Sequence, residues 1–446
     1  MTRTPLLGTV VRSVRPPSRR QLRTFTRLTL GSQGEAVLSM LSVIVLVRST
    51  PSAESGKALF AQAATAVWFL LCDPRLEDAA QRYVPLAGRR DGSASALFGR
   101  LLRWDVGIGA AACGLAFLGV LAAWSIGAAP ADLALMLALA VVAAGAASST
   151  GSAGAAFALA GRLHALGPIR LGCAAVSAVL SLGGLFAAGA PGYLAGQAAG
   201  ALVTAAVLAR VGLRAVRAEF GPPTSPAPLP AGLLRFSLRA SAGASVAAAS
   251  DSGILALAGL VGGPSLVTVL KVASAPSRLY TSLVSPVASM LYPRLAEAAA
   301  AGDTGRIRTD IRRSTLVLGA VGAAALLAAV PVTGPLLGLA YGVPYAQAAP
   351  AAVLLLGVAC VKAGVSWAKV LPLALGRPGL RLAFLTAEGL LLLGLLAAGG
   401  RATSGAVPAA VVFGCGSLAL AVLGSAYWVW AGRRLVDDDG GAATTG

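Results

Sequence analysis

The fold is decided by a stretch that runs from residue 265 to residue 291 and reads SLVTVLKVASAPSRLYTSLVSPVASML. This stretch is long enough to cross the hydrocarbon core of a bilayer, which takes about 20 apolar residues. Two cations, Lys271 and Arg278, nevertheless interrupt it. An ionisable side chain inside a membrane span is costly and is a functional hypothesis by default. The stretch therefore predicts a membrane-spanning helix whose cations serve a function.

The composition of the whole chain also indicates a membrane protein. Of 446 residues, 57% are hydrophobic and 12% are charged, which is about half the charged share of a soluble domain. The net charge of +19 comes from 36 Lys and Arg against 17 Asp and Glu. In so apolar a chain, membrane topology explains this charge better than a nucleic-acid partner does. With His164 as the single histidine, His-dependent active sites and soluble dinucleotide-binding enzymes are excluded.

Apolar windows of this length recur along the chain and predict about twelve membrane-spanning helices. The distribution of Lys and Arg supports this number of spans, because these residues concentrate in cytoplasmic loops. With the N-terminus inside, about 29 of them lie in cytoplasmic segments, about 3 lie outside and about 4 lie within spans. Both termini are therefore predicted to be cytoplasmic. Because Arg far outnumbers Lys, and Ala and Gly are abundant, the membrane is predicted to be the inner membrane of a bacterium. The predicted spans are 28–48, 57–72, 105–128, 132–160, 165–189, 191–212, 234–261, 265–291, 314–340, 346–374, 379–399 and 407–431.

A Pro-rich linker, residues 221–232, divides these spans into two halves of about six helices each. The sequence thus predicts an all-α polytopic membrane protein with two six-helix lobes around a central cavity. The spacing of Arg27 and Arg82 in the first half is similar to that of Arg239 and Arg294 in the second, which suggests a parallel repeat. The predicted segments are a basic cytoplasmic tail (1–27), an N-lobe (28–220), the linker (221–232), a C-lobe (233–431) and a disordered tail (432–446).

Cations within the second half form the candidate substrate site. Lys271, Ser274 and Arg278 follow one another at three- and four-residue steps, so one helical face presents all three. Lys362 and Lys369 are seven residues apart in the span 346–374, which contains no acidic residue. Because Arg and Lys both bind phosphate well, these five residues are predicted to bind an anionic substrate.

Three acidic residues within spans are candidates for ion coupling or for counter-ions. Asp251 lies at a depth between those of Lys271 and Arg278, so an interhelical pair that only holds the bundle together is the structural alternative. Glu35 and Glu388 are open to the same two interpretations. The five cysteines have no C-x-x-C spacing, so neither a metal site nor a disulfide framework is predicted, and no cofactor is expected.

Several short motifs resemble one known family. The match is most specific at 291–297 (LYPRLAE) with Gly302-Asp303, and further similar segments lie at 54–60 (ESGKALF), 233–238 (LLRFSL), 341–348 (YGVPYAQA) and 376–378 (GRP). Over residues 20 to 430 the chain resembles polysaccharide (O-antigen type) flippases of the multidrug/oligosaccharidyl-lipid/polysaccharide exporter superfamily. Arg239 stands where a proline is common in that family.

The resemblance implies two lobes that alternate in access and carry an undecaprenyl-pyrophosphate-linked oligosaccharide from the inner to the outer leaflet. It also implies coupling to an ion gradient or to the membrane potential, and cations that face the central cavity. The partners expected are this lipid-linked substrate, membrane lipids and polysaccharide assembly enzymes. Rival interpretations are a multidrug/cation antiporter and a peptidoglycan-precursor flippase of the same superfamily. A sugar transporter of another superfamily also has twelve spans, and a membrane glycosyltransferase or polymerase would need a larger outer loop.

Overall fold

The computed structural model describes residues 19–87, 93–223, 230, 232–375 and 378–443. The elements within these ranges are helices joined by turns, which confirms the predicted all-α fold. In chain order they are α1 (Arg19–Ser49), α2 (Ser52–Cys72), α3 (Leu76–Tyr83), α4 (Ser93–Ser125), α5 (Ala131–Ser148), α6 (Thr150–Leu159), α7 (Leu163–Phe220), α8 (Leu233–Ala273), α9 (Ala275–Ala300), α10 (Thr304–Tyr341), α11 (Ala349–Gly364), α12 (Leu371–Ala374), α13 (Pro378–Ala402) and α14 (Ala406–Ala443).

Among the described residues, nine helical segments are long and apolar enough to cross a membrane. Two of these segments hold two spans each, because the chain reverses inside α7 at Gly189 (φ 65°) and inside α8 at Gly263 (φ 73°). Only glycine adopts such positive φ values readily. A glycine at each reversal therefore lets the chain turn back without a longer loop. With α1, which has 31 residues, the helices account for the predicted number of spans. Large apolar side chains such as Leu118, Phe186 and Leu260 are exposed, as lipid-facing residues are.

Several boundaries differ from the sequence prediction. Helix α4 begins at Ser93 rather than near residue 105. Helix α14 continues to Ala443, so residues 432–443 are helical where a disordered tail was predicted. No proline stops α14 after Trp430, and Arg434 lies over that ring at 4.3 Å, one helical turn further on. Helix α7 ends and helix α8 begins at the predicted linker. Residues 224–229 and 231 of this linker lie outside the described part of the chain, and so do residues 1–18 of the N-terminal tail.

The two lobes share a large apolar core at one end of the bundle. We call the end that holds the Gly189 and Gly263 turns the outer end, and the opposite end the inner end. At the outer end one cluster joins Leu46, Leu59 and Leu194 of the N-lobe to Leu266 and Tyr341 of the C-lobe. Toward the inner end two further buried clusters lie apart. One is built on α3, α4, α6 and α7 and includes Leu233 at the start of α8, and the other is built on α9, α12 and α14.

The closest approach between the lobes lies at the outer end, where α2 crosses α8. Gly56 packs directly on the backbone of Pro264, and an added Cβ would overlap the carbonyl group of that proline. Next to this contact, the Thr268 hydroxyl donates a 2.9 Å hydrogen bond to the Ser52 carbonyl. Arg48 lies nearby and donates a 2.6 Å hydrogen bond to the Leu339 carbonyl near the end of α10, where helical carbonyls lack intrahelical partners.

Among the side chains that the structure describes, fewer connect the lobes toward the inner end. Arg82 lies 4.6 Å from the ring of Phe236 at the start of α8, and the Ser282 hydroxyl donates a 2.9 Å hydrogen bond to Gln33. The sequence Pro-Arg-Leu occurs at 74–76 after α2 and again at 293–295 in α9, and both leucines are buried. This pair relates the inner ends of the second and eighth spans.

Candidate functional site

A cavity of about 770 Å³ lies within the C-lobe and is lined by polar and cationic side chains. We call it the C-lobe cavity. Four cations contribute to its lining, and no carboxylate does among the residues that the structure describes. The lining includes Ser274, Arg278, Ser282, Lys362, Lys369 and Arg381. Four of the five residues predicted to bind substrate therefore lie around one space, and Lys271 is the fifth.

The break in the eighth span positions Arg278. Helix α8 ends at Ala273 and α9 begins at Ala275, with Pro276 in its first turn. The helical path nevertheless continues, because the backbone amide of Arg278 donates a 3.0 Å hydrogen bond to the Ser274 carbonyl. Arg278 is exposed to the C-lobe cavity, and Ser282 lies one turn further along the same face.

The polar residues in the outer part of the span 265–291 do not face the C-lobe cavity. Thr268 is fully buried against α2, where its hydroxyl contacts Ser52 and Ser55. Lys271 is partly buried and does not line the C-lobe cavity, although it is close enough to Arg278 for their charges to repel. The outer part of this span therefore serves the contact between the lobes. The Asp251 side chain, its predicted partner, lies outside the described residues.

Lys362 and Lys369 reach the cavity by a different route from the one predicted. Their spacing was interpreted as one face of a continuous helix, but α11 ends at Gly364 and a single 3-10 turn covers Ser366–Lys369. Trp367 fixes that turn, because its ring is buried and its indole NH donates a 2.9 Å hydrogen bond to the Thr315 hydroxyl. The turn keeps Lys362, Ser366 and Lys369 on the cavity wall.

Lys362 has a counter-ion on another helix. Its ammonium group lies 2.6 Å from a carboxylate oxygen of Glu388 on α13, and 33% and 16% of the two side chains are exposed. Glu388 is thus an ion-pair partner of a cavity lysine. The pair neutralises one of the cavity cations and leaves an excess of positive charge.

Arg381 is the cation of the cavity that the sequence analysis did not assign to the site. It lies on α13, seven residues before Glu388, and its Nε is buried without a hydrogen-bond partner among the described residues. A buried guanidinium donor that lacks a partner leaves a hydrogen bond free for a ligand. The sequence does not show that Arg381 and Arg278 line the same cavity, because they are far apart along the chain. The packing of α13 against α8 brings them together.

An apolar groove adjoins the C-lobe cavity between α11, α13 and α14. We define this apolar groove by Val365, Phe384, Leu385 and Trp428. Three of the cations, Lys362, Lys369 and Arg381, border both the groove and the cavity. The site therefore combines a cationic space with an adjoining apolar one.

A second polar cavity, of about 310 Å³, lies within the N-lobe. Its lining has one acid, Glu35, and one described cation, Arg170, among many hydroxyl groups. Ser39 and Ser42 line it with Glu35 as predicted, whereas Tyr193 and Gln197 were not predicted. The polar space described is thus divided into two cavities, each lined by one lobe, and the two differ in charge.

A double-mutant cycle is expected to show that the Lys362–Glu388 pair stabilises the C-lobe. Lys362→Met and Glu388→Gln should each lower the free energy of unfolding, and their coupling should be about 1 kcal/mol for a half-buried pair. Denaturation of the purified protein in detergent measures it. The matched control is Lys57 with Asp132, a more exposed pair at the outer end. A coupling no larger than that of the control pair would show that the burial of Glu388 does not strengthen its pair with Lys362.

Comparisons with known proteins identify the fold. No model of a known protein family matches the sequence, and no curated protein sequence matches it either. Solved structures do match. An inward-facing multidrug resistance MATE family transporter of the MOP superfamily has a TM-score of 0.67 and 15% identity, over 92% of this chain and 98% of its own. An outward-facing transporter of that family gives a TM-score of 0.59 and 14% identity, over 93% and 95%.

A third similar structure is a MOP superfamily transporter from Pyrococcus furiosus Vc1 (DSM3638), for which a reversed polarity of the binding pocket suggested a different function. It has a TM-score of 0.64 and 16% identity, over 93% of this chain and 95% of its own. The chain therefore has the helical fold of MATE transporters, and its similar structures are membrane transporters, not enzymes.

Proposed function

We propose that the protein exports a polyprenyl-pyrophosphate-linked oligosaccharide, a precursor of a cell-surface polysaccharide, across the bacterial cytoplasmic membrane by alternating access. The observation that carries this proposal is the C-lobe cavity with its four cations. A pyrophosphate group offers several strong acceptor oxygens, and arginine binds such groups through two parallel hydrogen bonds. Arg278 and Arg381 are the residues suited to that contact.

The apolar groove supports a lipid-linked substrate over a soluble anion. A polyprenyl chain must stay in an apolar environment while its head group occupies a polar one. The apolar groove and the C-lobe cavity share Lys362, Lys369 and Arg381, so a head group held by these cations would lie next to apolar side chains. Phe384 and Trp428 supply large apolar surfaces on the groove side.

The distribution of contacts between the lobes supports alternating access. The lobes share an apolar core and a close backbone contact at the outer end, whereas the inner-end contacts involve Arg82, Phe236, Gln33 and Ser282. In the topology that the basic loops predict, the inner end faces the cytoplasm, as do both termini. This arrangement suits loading of the substrate from the inner leaflet. Membrane lipids and polysaccharide assembly enzymes are the further partners that we expect.

A multidrug/cation antiporter is the second candidate, and the N-lobe cavity favours it. Glu35 is an exposed carboxylate in a polar cavity, which is a suitable site for an organic or inorganic cation. A peptidoglycan-precursor flippase would use the same pyrophosphate contacts as the first candidate. A pyrophosphate substrate would thus use the cations of the C-lobe cavity, whereas a cationic substrate would use Glu35 in the N-lobe cavity.

The proposal is tested with the purified full chain in proteoliposomes. A fluorescent polyprenyl-pyrophosphate oligosaccharide is expected to move between leaflets, as measured by loss of fluorescence to a membrane-impermeant quencher. The same lipid without the pyrophosphate, and protein-free vesicles, are the controls. Efflux of an aromatic organic cation without movement of the pyrophosphate lipid would establish the antiporter instead. Movement only of a peptide-bearing pyrophosphate lipid would identify a peptidoglycan-precursor flippase.

A further inference from the structure

The N-lobe cavity is balanced in charge, in contrast to the C-lobe cavity. Glu35 of α1 and Arg170 of α7 are the charged side chains of its described lining. Neither forms an ion pair with a side chain that the structure describes. One carboxylate acceptor and one guanidinium donor therefore line the same space unpaired. Because their charges cancel, this cavity suits a neutral polar ligand better than an anion such as pyrophosphate.

The rest of the lining is rich in groups that both donate and accept hydrogen bonds. Six Ser and Thr side chains contribute to it, namely Ser39, Ser42, Thr150, Ser177, Ser181 and Thr204. The hydroxyls of Ser42 and Thr204 donate 2.9 Å and 2.8 Å hydrogen bonds to main-chain carbonyls of their own helices, and their lone pairs remain as acceptors. A ligand with many hydroxyl groups can thus both donate to this wall and accept from it.

The packing of α2 on α7 fixes a further donor in this wall. The Gln62 amide of α2 donates a 2.7 Å hydrogen bond to the side-chain oxygen of Gln197 on α7, which leaves the NH2 group of Gln197 available to a ligand. Tyr193, one turn earlier on α7, also lines the cavity and is 3% exposed. Small-molecule sites combine a few such fixed polar groups with a volume of about 300–1,000 Å³. The N-lobe cavity, at about 310 Å³, lies within this range.

The two cavities approach each other at the contact between α1 and α9. Ser282 lines the C-lobe cavity, and its hydroxyl donates to Gln33, which stands two residues before Glu35. The Gln33 amide returns a 3.3 Å hydrogen bond to the Ser282 carbonyl. A saccharide that extends from a pyrophosphate at Arg278, one turn before Ser282, would meet the N-lobe cavity beyond this contact.

We propose that the N-lobe cavity is a saccharide-binding site, in which Arg170 and Gln197 donate to sugar hydroxyls and Glu35 accepts from them. This proposal rests on the proposed exporter function and divides the substrate between the lobes. The pyrophosphate binds in the C-lobe, and the sugar units bind in the N-lobe. A site built to hydrogen-bond hydroxyl groups rejects analogues that lack them, because its polar groups are then left unpaired. The N-lobe cavity therefore selects the substrate by its sugar units.

Equilibrium binding to the purified full chain in detergent tests this site. The probes are two fluorescent polyprenyl pyrophosphates, one with a neutral tetrasaccharide and one without sugar. The wild type should bind the first about tenfold or more tightly than the second, because a hydrogen bond to a charged group contributes about that factor. Arg170→Met should lower this ratio of dissociation constants by about tenfold. The matched control is Arg162→Met, which removes an exposed cation just before α7 and outside the cavity and should leave the ratio unchanged.

A second variant keeps the test decisive if Arg170→Met does not fold. Gln197→Leu removes an amide donor from the same wall and should also lower the ratio. A ratio that no cavity variant changes would overturn the proposal. Equal binding of the two lipids by the wild type would overturn it as well, and the exporter function would then stand without a saccharide site.

A soluble neutral sugar, maltotetraose, separates this site from the exporter function. If neither lipid binds but maltotetraose binds and Arg170→Met weakens that binding, the exporter function fails and the saccharide site stands. The competing ligand is a cation, for which tetraphenylphosphonium is the probe. If Glu35→Gln abolishes its binding and sugars have no effect on either probe, the cavity is a cation site and the saccharide proposal is overturned.

Discussion

Replacing Arg278 and Arg381 together with alanine is expected to lower the transport of a pyrophosphate-linked lipid by about a hundredfold or more. A hydrogen bond to a charged group contributes about 1.5–3 kcal/mol, so two lost contacts amount to at least about 3 kcal/mol, and each 1.4 kcal/mol is about a factor of ten. Both arginines line the C-lobe cavity and belong to different helices. The leaflet-exchange assay in proteoliposomes measures the loss.

The control for this double variant is Arg401→Ala, which removes an exposed cation at the end of α13. It should leave transport within about twofold of the wild type, because exposed charges contribute little. Arg278→Lys keeps the charge but loses the planar pair of donors, so we expect an intermediate rate. Normal transport by the double variant would remove the cavity cations from the mechanism.

The membrane fold could be predicted from the sequence because the bilayer imposes strong local rules. The length of each apolar stretch sets each span. Gly189 and Gly263 mark reversals that need no loop, and the spans beside them were predicted in the right order. The cations Arg278, Lys362 and Lys369 could be found for the same reason, since a charge inside an apolar run is conspicuous in any sequence.

The relations between helices could not be predicted, because local patterns contain no long-range packing. The pairing of Lys362 with Glu388 depends on how α11 meets α13. Thr268 follows the helical period of the cavity residues, yet it packs on α2 because the close contact at Gly56 brings that helix within reach. Asp105 was not singled out because it stands at the edge of a predicted span, and only its burial in α4 makes it unusual.

The cavities of the two lobes differ in chemistry. The C-lobe presents an excess of cations next to an apolar groove, whereas the N-lobe presents Glu35 in a hydroxyl-lined cavity and Asp105 in a buried site. In a transporter that works by alternating access, one lobe must move against the other. The contact between the lobes at the outer end is then the element whose strength sets the balance between the two orientations.

Gly56→Ala is expected to shift this balance toward an outward-open protein and to lower transport. The new methyl group would overlap the Pro264 carbonyl whenever the lobes meet at the outer end. Overpacking costs about 1–3 kcal/mol, which moves a two-state equilibrium by about five- to 150-fold. The separated orientation has no such overlap, so the substitution penalises one state and not the other.

Solvent access to the C-lobe cavity measures this shift. With Thr281→Cys as a reporter in the cavity wall, labelling by a membrane-impermeant reagent from the outer side should increase in Gly56→Ala, against a parent with the same native cysteines. Gly119→Ala is the matched control, because a Cβ at Gly119 in α4 would meet nothing within 4 Å. It should leave labelling and transport unchanged. Equal labelling in the two variants would show that the α2–α8 contact does not control access, since a contact that sets the orientation cannot be overpacked without consequence.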